Sequence, residues 1–168
     1  LSVRADELPK KFKGMPQNFA GKQPMRVVLD SQLRLPLDAK IIGDDGACVI
    51  FTRSLNDSKA KHLMEKGVQV IHQEPHLGAI DIEEVVEWLS QKNINEVLFE
   101  CGATLAGSLV KQKLANELLV YTAPVIMGSE AKPLLKLPLS SMSARLHLET
   151  MNTQKLGRDW LIQAILSQ

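Results

Sequence analysis

The chain has 168 residues, a hydrophobic fraction of 45% and a net charge of +1 at pH 7. This length predicts one domain, and the interleaved acids and bases argue against a nucleic-acid or membrane-surface protein, which would need a one-sided basic patch. No apolar segment approaches the roughly 18 residues that span a bilayer, and there is no signal-peptide pattern, so no membrane partner is expected.

The first half of the chain starts with a loop-like segment and then alternates between strand and helix patterns. Residues 1–24 are polar and rich in Pro and Gly, which predicts extended chain and loop. Apolar runs predict strands at 25–30 and 47–52. A helical pattern follows at 54–67, and a third strand is predicted at 68–72.

The second half continues the alternation and ends differently. Residues 81–93 have the clearest helical spacing, an apolar run predicts a strand at 96–99, and a further helix is predicted from about 104 to 113. Another strand is expected at 116–124. The segment 145–166 alternates like two antiparallel strands around a turn near Gly157.

Capping residues mark where the first two helices begin and end. Ser54 or Asp57 would cap the helix at 54–67, and Gly67 would end it, while Asp81 would cap the next helix. The whole order predicts an α/β sheet that is mainly parallel, with a C-terminal antiparallel hairpin and helices on both faces. Ligands of such sheets bind beyond the carboxyl ends of the strands.

The stretch 96–110, EVLFECGATLAGSLV, places a carboxylate between an apolar run and a glycine that opens a helix. A helix start offers unpaired N–H groups with positive partial charge, and Gly102 would let a ligand approach the backbone. This arrangement fits a diphosphate on one side and a polar substrate near Glu100 on the other. An ordinary strand-to-helix turn and a solvated acid are the alternatives that the residues leave open.

Two further polar positions follow predicted strands. Ser31 comes after the strand at 25–30 and would bind phosphate or ribose, or would simply form a turn. Thr52 and Arg53 close the strand at 47–52. Arg53 would suit the extra phosphate of NADPH because guanidinium pairs well with phosphate, although a solvated arginine remains open, as does a preference for NADH.

The sequence predicts no metal site. His147 and Glu149 match half of the zinc-deaminase signature, but the P-C-x-x-C half is absent, and the other histidines lack metal-ligand spacing. Cys48 and Cys101 are not in paired spacings. They are therefore expected to be reduced thiols in a cytoplasmic protein.

Three stretches carry a family resemblance: RVVLDSQLRLP (26–36), VLFECGATLAGSLV (97–110) and NELLVYTAPVIMGSEAKPLL (116–135). They resemble the reductase domain of the bifunctional riboflavin-biosynthesis deaminase/reductase. The most specific pieces are a D-S pair, E-x-G-x-x-L-x-G and Y-x-A-P-x-x-x-G. The resemblance runs from residue 1 to the end and treats 1–168 as a single reductase domain, truncated at its N-terminus. Leu1, which is not a natural translation start, agrees with a fragment or a processed product.

The resemblance implies a dihydrofolate-reductase-like fold and an NADPH-dependent oxidoreductase. Its substrate would be 5-amino-6-(5-phosphoribosylamino)uracil, a phosphoribosylaminopyrimidine, which is reduced to the ribitylamino form. Glu100 would be the catalytic residue and would bind substrate together with Leu1 and Arg4. The residues implied to line NADPH are Ser31, Gly102, Ala103, Thr104, Leu105, Ala106, Gly107 and Ser108.

The same resemblance implies a homodimer and, in the parent chain, an N-terminal zinc deaminase domain. Cys101 stands where the family usually has Gly or Ala. Two other functions remain open. The chain could be another dihydrofolate-reductase-like reductase with a pterin- or pyrimidine-like substrate, or a non-catalytic nucleotide-binding or assembly module.

Overall fold

The computed structural model describes residues 23–43, 46–74 and 78–167. Its contacts group the chain into two compact units, Leu1–Val86 and Glu87–Gln168. The prediction that 1–168 forms a single domain stays a prediction.

The first unit contains a three-stranded parallel sheet. Its strands are β1 (Arg26–Leu29), β2 (Cys48–Thr52) and β3 (Val68–His72), in the order β1-β2-β3. All five residues of β2 are buried, which explains why this central strand is a continuous run of Cys, Val, Ile, Phe and Thr rather than an alternating pattern. The predicted parallel part of the fold is therefore confirmed.

Helix α1 (Asp57–Glu65) connects β2 to β3 and places Leu63 in the core. The predicted cap is wrong. Asn56 caps α1, because its side-chain oxygen accepts a hydrogen bond of 3.1 Å from the Lys59 backbone N–H. An asparagine between the two predicted candidates thus fills the role that its side chain suits equally well. The end of the helix is as predicted, with Gly67 at φ +80° just after its last turn.

Helix α2 (Ile82–Gln91) begins where predicted. The Asp81 carboxylate accepts hydrogen bonds from the backbone N–H groups of Glu83 at 2.9 Å and Glu84 at 3.3 Å. The entry to the helix is fixed from the other side by Gln73, whose amide both donates to the Asp81 carbonyl and accepts from the Asp81 N–H. Gln73 is 2% exposed, so these two bonds satisfy a buried polar side chain.

The second unit contains helix α3 (Ala103–Lys111) and a three-stranded antiparallel sheet. The strands are β4 (Glu117–Thr122), β5 (Leu148–Leu156) and β6 (Asp159–Leu166), in the order β4-β6-β5. The predicted hairpin is confirmed. Leu156 pairs with Asp159, and Gly157 adopts φ +64° in the two-residue turn between them.

The segment 96–99 is not a strand, contrary to the prediction. It lies in irregular chain between α2 and α3, and neither sheet among the described residues includes it. Val97 is 41% exposed and Leu98 is 66% exposed. An apolar run predicts only that side chains favour burial, whereas a strand also needs a neighbouring strand to pair with.

Candidate cofactor and substrate site

The start of α3 is the centre of the predicted site. Gly102 is the N-cap residue, in extended backbone at φ −79° and ψ 167°. The helix follows because Leu109 and Val110 are buried on one side of it while Thr104 stays exposed on the other. The helical hydrogen bonds begin with the Ala106 N–H, which donates to the Gly102 carbonyl at 3.0 Å.

The first turn of α3 keeps its positive end uncompensated. No side chain in the described part of the protein caps it, and the turn contains no acidic residue. The N–H groups that precede Ala106 therefore have no partner within the helix, and together they carry a partial positive charge. This is the local chemistry that a phosphate requires.

Gly102 leaves open space at this helix start. Among the described residues, a Cβ atom added at Gly102 would meet nothing within 4 Å. Its extended backbone is one that any residue adopts, so the absent side chain is not needed for conformation. No described side chain or backbone atom therefore blocks the main chain at Gly102.

Gly107 lies in a different environment, although it belongs to the same predicted motif. It is buried, and an added Cβ would stand 2.1 Å from the Lys136 carbonyl oxygen. The Lys136 N–H donates a hydrogen bond of 2.9 Å to the Ala103 carbonyl. Lys136 was not singled out from the sequence, and no side-chain pattern could have indicated it, because the contact uses only its main chain.

The remaining predicted cofactor residues of α3 vary in how open they are. Ala103, Leu105 and Ala106 are half-buried. The Ser108 hydroxyl donates to the Thr104 carbonyl at 3.2 Å, one turn earlier in the helix. The Ser108 hydroxyl therefore bonds to a carbonyl of its own helix, in the first turn of α3.

Glu100 is exposed and lies in irregular chain two residues before the N-cap. It was expected at the tip of a buried strand, where an unpartnered carboxylate would be costly. That argument does not apply to this position because the residue is in contact with solvent. Its nearness to Gly102 along the chain is what keeps it in the candidate site.

Cys101 separates Glu100 from Gly102 and is a free, exposed cysteine. Partial desolvation of its sulfur raises the pKa of the thiol above its ordinary value. The side chain is consequently protonated at neutral pH and is a poor nucleophile.

Ser31 follows β1 in the first unit, and its neighbour Asp30 has a structural role. The Asp30 carboxylate accepts a hydrogen bond of 2.7 Å from the Leu35 N–H, and the Asp30 N–H donates to the Phe51 carbonyl at 2.9 Å. These bonds fix the turn that presents Ser31. The Ser31 residue itself is half-buried.

Arg53 lies next to Ser31, because the Arg53 N–H donates to the Ser31 carbonyl at 3.2 Å. The side chain is half-buried, and its Nε atom is buried with no hydrogen-bond partner among the described residues. A buried guanidinium nitrogen normally has an acceptor. The suggestion from the sequence that Thr52-Arg53 seats a phosphate stays a prediction.

The structure places the predicted residues in three groups. The segment from Glu100 to Ser108 is contiguous in the second unit, while Ser31 belongs to the first unit. Leu1 and Arg4 lie outside the described residues.

The described residues offer no metal site or membrane-spanning helix, and the predicted site residues do not line their best-defined groove. No group of three or more His, Cys, Asp or Glu side chains within the described ranges is arranged to hold a metal ion. None of the described helices is both long enough and apolar enough to cross a membrane. A groove of about 550 Å³ lies at one end of the antiparallel sheet, and none of the predicted site residues lines it.

Comparison with known proteins decides the family. A model of the RibD C-terminal domain matches residues 2–162. The chain belongs to the RibD C-terminal domain family.

Two relatives illustrate this membership. The 5-amino-6-(5-phosphoribosylamino)uracil reductase of Buchnera aphidicola is 34% identical over 168 residues, which cover 99% of this chain and 78% of that protein. The riboflavin biosynthesis protein RibD of Escherichia coli is 33% identical over 138 residues, which cover 82% of this chain and 36% of that protein.

The fold is similar to that of solved RibD structures. The match to Acinetobacter baumannii RibD has a TM-score of 0.74 at 27% identity and covers 86% of this chain and 38% of that one. The predicted α/β, dihydrofolate-reductase-like class is thereby confirmed. The chain spans little more than a third of the RibD proteins that it matches.

The relatives also confirm the predicted class of activity. They are named as riboflavin-biosynthesis proteins and as reductases, so the prediction of an oxidoreductase in riboflavin biosynthesis is confirmed at the level of the family. A reductase of the RibD type implies a nicotinamide cofactor.

Proposed function

We propose that this chain catalyses the NADPH-dependent reduction of 5-amino-6-(5-phosphoribosylamino)uracil to the ribitylamino form. One observation supports the proposal above the rest. The chain belongs to a reductase family, and its α3 has no acid in the first turn, no cap from a described side chain and no described atom within 4 Å of a Cβ at Gly102. Such a helix start is suited to a phosphorylated cofactor.

The donor set at this helix start fits the diphosphate of a dinucleotide. Gly102, Ala103, Thr104 and Leu105 would hold it, because their N–H groups precede the first helical hydrogen bond, which the Ala106 N–H makes. Bound there, NADPH supplies the hydride for the reduction. The protein contributes the fixed dipoles and the alignment.

Ser31 and Arg53 would select NADPH over NADH. The Ser31 main chain is joined to that of Arg53, and the guanidinium has a buried Nε without a partner among the described residues. Guanidinium binds phosphate in fork geometry. The extra phosphate of NADPH is the group that Arg53 would bind.

Glu100 would orient the ribose of the substrate. Its exposed carboxylate can accept hydrogen bonds from sugar hydroxyl groups, and it lies two residues before the helix start that would hold the cofactor. Leu1 would contact the substrate, and Arg4 would bind the substrate phosphate. Both roles rest on the family resemblance alone.

The proposal is tested by following the consumption of NADPH with the pyrimidine substrate present and absent. Glu100→Gln should lower kcat/KM for the pyrimidine by about 30-fold, because mispositioned substrates react slowly, while the melting temperature stays unchanged. Glu96→Gln, an exposed acid in the same irregular segment, is the matched control. Full turnover of Glu100→Gln would remove Glu100 from the site.

The same assay separates the alternatives. Binding of NADPH without oxidation would indicate a non-catalytic nucleotide-binding module. Faster oxidation with a dihydropterin than with the ribosylaminopyrimidine would indicate a different reductase of the same fold.

Assembly and location complete the proposal. The chain would act as a homodimer in the cytoplasm, attached in its parent protein to an N-terminal zinc deaminase domain. The antiparallel sheet supports an interface, because Leu119, Tyr121 and Ile165 share one face and are 40%, 66% and 38% exposed. The RibD relatives are more than twice as long as the matched part, which leaves room for a second domain. Sedimentation at micromolar concentration should show a dimer.

A further inference from the structure

We infer that Gly107 is a positioning residue that holds the main chain of Lys136 against α3, and that it does not touch the cofactor. This inference rests on the proposed function, since it concerns how the cofactor's helix start is held in place. It also separates two glycines, Gly102 and Gly107, that the sequence motif treats alike.

The contact at Gly107 is too close for any other residue. An added Cβ would lie 2.1 Å from the Lys136 carbonyl oxygen and 2.7 Å from its carbonyl carbon. Both atoms are main chain, so no rotamer change relieves the overlap. Alanine at this position would therefore push the Lys136 segment away by about 1 Å or more.

The contact is linked directly to the first turn of α3. While Gly107 packs on the Lys136 carbonyl, the Lys136 N–H donates to the Ala103 carbonyl at 2.9 Å. Ala103 is the first residue of the helix and one of the four whose N–H groups would hold the diphosphate. Lys136 thus contacts α3 at both its first residue and the turn above it, and fixes the orientation of the amides.

Gly102 provides the contrast. No described atom lies within 4 Å of an added Cβ at Gly102, whereas the main chain of Lys136 does at Gly107. A methyl group at Gly102 would meet no described residue, whereas a methyl group at Gly107 would meet Lys136. The two substitutions to alanine therefore act by different physical routes.

The test uses two variants that disturb the contact and two that do not. Gly107→Ala forces the Lys136 segment away from α3, and Lys136→Pro removes the N–H that bonds to the Ala103 carbonyl. Lys136→Ala keeps the main-chain contact and is the control for the second variant. Gly128→Ala is the control for the first, because an added Cβ there meets no atom of the described residues within 4 Å.

Steady-state kinetics of the 168-residue chain are measured well below the lowest melting temperature of the set. Gly107→Ala and Lys136→Pro should each raise the KM for NADPH about tenfold with kcat little changed, because they weaken ground-state and transition-state binding of the cofactor equally. The KM for the pyrimidine and both control variants should stay near wild type. A structural role alone would lower kcat in proportion to the unfolded fraction and leave the KM unchanged.

Wild-type KM values in both folded variants would overturn the inference, and so would loss of fold in both. If Gly107→Ala fails to fold, Lys136→Pro decides the outcome. Gly102→Ala shows whether the inference about Gly107 has failed by itself or the proposed function has failed with it. Wild-type affinity for NADPH in Gly102→Ala, or no NADPH binding by the wild type, would defeat the proposed function and the inference together.

Discussion

The starts of α2 and α3 differ in what their free N–H groups bind. At α2 the Asp81 carboxylate accepts from two of them, and Gln73 holds Asp81 itself in place. At α3 a glycine occupies the N-cap position, and no side chain of the described ranges accepts from the first turn. A helix start whose N–H groups bond to nearby side chains stabilises the fold, whereas one whose N–H groups have no such partner is available to a ligand.

The largest effect is expected when α3 is given an aspartate N-cap like that of α2. Gly102→Asp places a carboxylate at the N-cap, where the extended backbone of Gly102 accepts it. The KM for NADPH should rise about 100-fold, because the acid occupies the amides and repels the diphosphate. The melting temperature should not fall.

The control for this variant is Gly102→Asn, which caps the helix without adding charge. A smaller rise in the KM for NADPH is expected from it than from aspartate. Equal KM values for wild type, asparagine and aspartate variants, measured by NADPH titration, would contradict a diphosphate site at α3.

Substitutions at the start of α2 should change the free energy of unfolding. Gln73→Ala removes a buried side chain that satisfies both the N–H and the carbonyl of Asp81, so the free energy of unfolding should fall by about 2 kcal/mol. Urea denaturation measures this change. The exposed Gln69→Ala is the matched control, and a loss no larger than its loss would show that water replaces Gln73 at no cost.

Arg53 also has an N–H group without a described partner, because its Nε atom is buried and makes no hydrogen bond to the described residues. Arg53→Ala should raise the KM for NADPH about tenfold and leave the KM for NADH unchanged, since only NADPH carries the extra phosphate. Arg158→Ala, in the exposed hairpin turn, controls for the loss of a positive charge. An unchanged ratio of the two KM values would take Arg53 out of the cofactor site.

The smallest expected effect belongs to the α2 cap itself. Asp81→Ala should lower the free energy of unfolding by about 1 kcal/mol, the ordinary cost of losing an N-cap. Its kinetic constants should match wild type, because this helix start holds no ligand. A change in the KM for NADPH would contradict the division of roles between the two helix starts.

Local chemistry made much of the fold predictable. The Asp81 cap, the stop at Gly67 and the turn at Gly157 each depend on one side chain and its nearest neighbours in sequence. The strand prediction at 96–99 failed, because strand formation depends on a partner elsewhere in the chain. The cap at Asn56 was missed between two candidates of equal capping ability.

The candidate site was predictable to a similar extent. The helix start at Gly102 follows from a glycine and the apolar spacing after it. The environment of Gly107 could not be predicted, because it depends on the main chain of Lys136, which lies 29 positions further along the sequence. A motif records that two positions are glycine, and only the structure distinguishes a glycine that faces a ligand from one that faces its own chain.

The strand order of the antiparallel sheet has a consequence for synthesis on the ribosome. β6 lies between β4 and β5 in the sheet, so both of them pair with it. It is also the last of the three along the chain and therefore the last to be synthesised. Until β6 emerges from the exit tunnel, β4 and β5 have no partner in this sheet, whereas β1, β2 and β3 are already complete. The nascent chain should therefore acquire its parallel sheet during translation and its antiparallel sheet only after the codons for 159–166 have been read.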